Sequence, residues 1–181
     1  MADGVDAVRA AARDELRKGA HHLKVMASGG VASPTDRIDS TQYSMDELRA
    51  VVQEAEAANR YVAAHAYTAR AVNRALVAGI RSIEHGNLLD DESVRLFTEH
   101  DAYLVPTLVT YWALKKEGRS SVSPPTATAR WTMCWARGSR RWSAPCAAGS
   151  GRYTGATSWA ECTVTRTRSS AFVPRCRIRS T

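Results

Sequence analysis

His22-Leu-Lys-Val-Met-Ala-Ser-Gly-Gly30, Val62-Ala-Ala-His-Ala-Tyr-Thr68 and Ser82-Ile-Glu-His-Gly-Asn87 decide the fold. Each begins as a short, strand-like run and ends in polar or glycine-bearing residues. A stretch with helical spacing follows each. Lys24, His65 and His85 stand at or near the ends of the three runs. Alternating strands and helices imply a parallel sheet with helices outside it. In a barrel of such units, side chains at the carboxyl ends of the strands share one site. Three metal-competent groups arriving there in series point to a metal hydrolase.

The flanking sequence supports the alternation. Val8, Ala11, Ala12 and Leu16 recur at helical spacing, which predicts a helix over 6–18, stopped by Gly19. Leu23 to Ala27 follows as a buried strand, then a polar loop to Tyr43. Ser44-Met-Asp-Glu47 is a capping box that starts a helix to about Asn59. Further strands are expected at 61–66, 80–84 and 103–108, with His85-Gly-Asn as a turn. Helices are expected at 68–78 and from the Asp90 cap to His100. The predicted order is α-β-α-β-α-β-α-β. A doubly wound dinucleotide fold competes, but Gly29-Gly30 belongs to no GxGxxG pattern. A whole (β/α)8 barrel takes about 250 residues, so four strands are half of one.

Bulk properties divide the 181-residue chain. From Pro125 onward there are ten arginines, no lysine and one acid, Glu161: about +9 there and roughly −2 elsewhere. All four cysteines (Cys134, Cys146, Cys162, Cys176) lie in that tail, without the CxxC spacing of a zinc ribbon. There is no apolar run of membrane-spanning length. The opening Met-Ala-Asp-Gly-Val-Asp lacks the basic and apolar regions of a signal peptide. A cytoplasmic protein is expected.

Each candidate residue has a bland reading beside the chemical one. A single histidine such as His65 or His85 is often a core or turn residue hydrogen-bonded to backbone. Together on adjacent strand ends, the two favour a ligand role. Lys24 lies between Leu23 and Val25 and is expected to be buried, which lowers a lysine's pKa. Either it pairs with an acid or snorkels out, or its neutral amine adds carbon dioxide to form a carbamate able to bridge two metal ions. Tyr67, two residues after His65, shares its face if the strand persists. It points a phenol at substrate or closes the rim. His21, His22 and His100 are expected to be surface or packing residues.

The motifs Lys-Val-Met-Ala-Ser-Gly-Gly, Ala-His-Ala-Tyr-Thr and Ser-Ile-Glu-His-Gly resemble the metal-dependent amidohydrolase superfamily. The resemblance covers about residues 4–112 and is closest to the imidazolonepropionase-like and Xaa-Pro or Arg/Lys dipeptidase-type branch. It implies a partial TIM barrel, about strands four to seven, within residues 1–118. It implies Lys24 as the carboxylated lysine, His65 and His85 as single histidine ligands of a binuclear Zn2+ site, and Tyr67 as a substrate contact. The implied substrate is a small molecule or dipeptide, with no membrane or nucleic-acid partner; an oligomer is compatible with the intact protein. The family's His-x-His before the lysine is absent, and so is its last aspartate, since no Asp follows Asp101. An incomplete chain with weak or no activity is expected.

Residues 119–181 form the second unit, expected to be irregular and disordered. After Leu114 there is no leucine, yet four of the five tryptophans follow. Such composition is unusual for a fold or a linker. Shifting the reading frame near 153–162 yields plausible codons for an aspartate-bearing segment like the family's missing one. An out-of-frame tail is therefore expected. The alternative reading of the whole chain is a non-catalytic βα domain whose basic tail binds nucleic acid.

Overall fold

The computed structural model describes residues 2–33 and 35–107 throughout, and the strand backbones 150–155, 158–166 and 172–180. Four βα repeats form the first part: α1 (Val5–Arg17), β1 (Leu23–Met26), α2 (Met45–Ala57), β2 (Val62–Thr68), α3 (Ala69–Val77), β3 (Ser82–Leu88), α4 (Asp91–Glu99) and β4 (Tyr103–Val105). The strands β1 to β4 are parallel neighbours in chain order. The protein is thus an α/β fold with a parallel sheet, as the alternation of periods predicts.

Local chemistry explains the boundaries. The Ser44 hydroxyl accepts from the Glu47 N–H, and the Glu47 carboxylate accepts from the Ser44 N–H and from Gly4 N–H at the start of α1. One side chain therefore caps α2 and ties α1 to it. All four helices end alike. Gly19, Asn59, Gly79 and Asp101 have positive φ, and the next residue's N–H reaches back to the carbonyl of Glu15, Ala55, Ala75 or Phe97. These are Schellman caps, which turn the chain sharply into each following strand.

Strand register sorts the residues. Val25, Ala64, Ile83 and Leu104 form one row facing the helices, and the last three are fully buried. With Leu48, Leu76, Ile80 and Phe97 they make the core, each large side chain stabilising by about 1.5–3 kcal/mol. The opposite face carries Lys24, Ala63, Ser82 and Tyr103 in one row, and Met26, His65, Glu84 and Val105 in the next.

Several expectations need correction. Lys24 is not buried: its side chain is 51% exposed, because the pleat turns it to the face opposite the helices. Met26, on that face too, is 43% exposed. His85-Gly-Asn87 is not a turn; β3 runs through it to Leu88 with an irregularity. β4 ends at Val105 rather than at residue 108. The tail expected to be irregular carries three strands where it is described, β5 (Ser150–Gly155), β6 (Ser158–Arg166) and β7 (Phe172–Ser180). They are antiparallel, and β7 extends the sheet beside β4. The boundary at 118/119 lies outside the described residues. Among the described residues no helix is long and apolar enough to cross a membrane.

Candidate functional site

The pleat and one irregularity assemble a cluster at the carboxyl ends of β1, β2 and β3. His65 and Tyr67, two apart on β2, project to the same face, and their rings meet edge to face at 4.9 Å. His85 is paired in register with Ala66, so regular alternation would aim it at the helices. It does not go there. Its φ is +77 and that of Gly86 is +53, and β3 spends one extra residue between the Ala66 and Thr68 pairings. This bulge turns the imidazole to the open face, 4.6 Å from the His65 ring and stacked on Tyr67 at 4.7 Å. Gly86 has a second reason to lack a side chain, since a Cβ there would stand 2.5 Å from Leu104 Cδ1.

Hydrogen bonds hold the two imidazoles. His65 Nε2 faces the Gly29 carbonyl at 3.4 Å, a long contact. The loop after β1 is pinned there: Ala27 N–H donates to the His65 carbonyl at 2.9 Å, and Ser28 bridges Thr41. Gly29 must be glycine, because a Cβ would sit 2.0 Å from the Arg37 carbonyl oxygen. His85 Nδ1 lies 2.7 Å from Thr107 Oγ1.

Burial favours the neutral form of both rings. It lowers the His65 pKa, and the Lys24 ammonium adds to the effect while the Gly29 carbonyl opposes it. Burial, then His65, then Lys24 push His85 down to about 3. Both are therefore neutral near pH 7, the form in which imidazole ligates a metal. Lys24 Nζ lies 3.8 Å from Glu84 Oε2, at a Glu84 side chain that is 24% exposed. Of the two bland readings of Lys24, pairing with an acid is the one seen.

His65, His85 and Tyr67 are thus brought into ring contact, and Lys24 stands on the same face one pleat row from His65. Tyr67 is 2% exposed, so its ring is also a wall of the cluster. The other histidines lie apart: His22 stacks on Tyr61 at 5.2 Å and His100 is the C-cap of α4. Sequence reasoning overlooked Glu84 and Thr107. Glu84 had a signal, since a period of two from Ser82 puts it on the face opposite Ile83. Thr107 had none, because its reach to His85 depends on a φ of +48.

The donors suit a borderline-soft divalent cation in kind, two neutral imidazoles with an amine beside them. Among the described residues no group of three or more His, Cys, Asp or Glu is placed to hold a metal.

Known proteins carry the same framework. An ochratoxinase of Aspergillus niger is 42% identical over 107 residues, covering 59% of this chain and 22% of its own length. A prolidase crystallised with N-methylphosphonate-L-proline is 56% identical with a TM-score of 0.73, covering 77% of this chain and 34% of that one. A Xaa-Pro dipeptidase with methionine in its active site is 30% identical with a TM-score of 0.68, covering 76% and 34%. The chain thus spans between a fifth and about a third of the length of these relatives. The sequence model of the Amidohydrolase family matches residues 1–137. Most of the chain matches, with its α/β order intact, and the protein belongs to the amidohydrolase family.

Proposed function

We propose that this chain carries the central part of the active site of a metal-dependent hydrolase of amide or peptide-like C–N bonds. The carrying observation is the pair of imidazoles, His65 and His85, 4.6 Å apart at adjacent strand ends with Lys24 on the same face. In this reading β1 to β4 are consecutive staves of a (β/α)8 barrel, and the open face is the barrel interior. The prolidase and dipeptidase relatives support a dipeptide or similar small substrate.

His65 and His85 would hold zinc through ring nitrogens, and Lys24 would join them as a carbamate. Zinc, when bound, would act as a Lewis acid that polarises the scissile carbonyl and acidifies water. Lys24 must first leave Glu84: its ammonium loses one proton to solvent, the neutral amine bonds to the carbon of carbon dioxide, and a second proton leaves to solvent as the carbamate forms, turning a cation into an anion. Glu84 then faces a like charge and is expected to swing toward solvent. Tyr67, stacked on His85, holds that ring and turns its phenol toward the substrate.

The test is zinc stoichiometry of the purified chain, with circular dichroism as a check on folding. Wild type should bind zinc, His65→Ala and His85→Ala should lose it, and Lys24→Ala should bind with a different stoichiometry. Folded wild type that binds no zinc, or folded histidine variants that bind it undiminished, would overturn the proposal. The competing reading of a nucleic-acid-binding βα domain has no comparison in its favour.

A further inference from the structure

We infer that Thr107 is a positioning residue for His85, that Asn87 holds Thr107 in place, and that together they keep the His85 ring as its Nδ1–H tautomer. Thr107 follows β4 and is β-branched, yet its φ is +48. A branched side chain rarely adopts that backbone conformation, and such strain persists only where surroundings impose it. What it achieves is a 2.7 Å contact between Thr107 Oγ1 and His85 Nδ1. His85 itself has a φ of +77, so both partners are held in left-handed backbone to meet.

Asn87 supplies the restraint. Its Nδ2 donates to the Pro106 carbonyl at 3.3 Å, across from β3 to the residue immediately before Thr107. A proline carbonyl only accepts, so this bond fixes which way the amide faces. Asn87 is 2% exposed, and its Oδ1 has no hydrogen-bond partner among the described residues. A buried, unsatisfied acceptor is unfavourable. An asparagine is retained at that cost because its other half anchors the Pro106-Thr107 backbone. The consequence is chemical. In the inferred tautomer Nδ1–H donates to the Thr107 hydroxyl and Nε2 carries the ring's lone pair, the form in which that nitrogen can ligate a metal. Holding a ligand's second nitrogen in this way is how a protein sets tautomer and ring orientation.

Only that last step rests on the metal reading, so the two are tested separately. The tautomer is read by long-range 1H–15N correlation on the metal-free, 15N-histidine-labelled full chain at neutral pH. His85 is assigned by its absence in His85→Gln. Wild type is expected to show Nδ1–H. Thr107→Val, which keeps the shape and removes the hydroxyl, should move the ring toward Nε2–H, and Thr107→Ser should restore it. Nε2–H in wild type, or Nδ1–H unchanged in Thr107→Val, would overturn the inference. In the second arm, zinc affinity should fall about 10–100-fold in Thr107→Val and recover in Thr107→Ser. Undiminished affinity in Thr107→Val would contradict the positioning role. Absence of zinc binding in wild type would remove the metal reading and leave the tautomer arm to decide the rest.

Discussion

Gly86→Ala tests the bulge that builds the site. The glycine sits at φ +53, and an added Cβ would meet Leu104 Cδ1 at 2.5 Å, Leu89 Cδ2 at 3.6 Å and Ile83 Cγ2 at 3.8 Å. Leu104 and Ile83 are fully buried, so neither has solvent to retreat into. Left-handed backbone at a non-glycine residue costs about 1–2 kcal/mol. Forcing a methyl group into a packed core costs about 1–3 kcal/mol. The sum, about 2–5 kcal/mol, is a large share of a stability of about 5–15 kcal/mol. With a urea dependence of about 2 kcal/mol/M, the unfolding midpoint should fall by about 1–2.5 M at unchanged slope. Gly30→Ala is the control. Its nearest neighbours to an added Cβ are at 4.0 Å, and it should stay within about 0.5 kcal/mol of wild type. If Gly86→Ala unfolded at the wild-type midpoint, the left-handed bulge beside His85 would not be the conformation the chain adopts.

Phe97, fully buried where α4 meets the sheet, should cost about 3–5 kcal/mol on truncation to alanine, measured by urea unfolding. A loss under about 1 kcal/mol would mean that α4 is not packed there. Glu54 predicts an acid-dependent tie between α1 and α2. Hydrogen bonds from Arg13 and Arg9, at 2.8 and 2.7 Å, hold its pKa down from 4.5 to about 2. A carboxylate depressed on folding stabilises fully above its unfolded value, and that contribution fades as pH falls through the folded one. The midpoint difference between wild type and Glu54→Gln should therefore be open at pH 7 and close between pH 4.5 and 2. A difference independent of pH would refute the ion pairs.

The element order was legible in the chain because it depends on local signals. Ser44 and Glu47 cap one helix, Asp90 caps another, and Gly19 and Gly79 end two more, each through bonds within a few residues. Family membership was legible too, from three short motifs in order. What depended on strand pairing was not. Lys24 read as buried because its neighbours are apolar, but the pleat decides which side of a strand meets the helices. His85 read as a turn residue, since nothing local says that β3 continues through two left-handed residues and inserts one extra. Glu84 beside Lys24, and Thr107 beside His85, join residues 60 and 22 positions apart. Sequence alone determined which groups of metal-binding chemistry the chain carries and the repeat that delivers them. Tertiary structure decided which of them face one another, because register and backbone handedness arise only when strands pair.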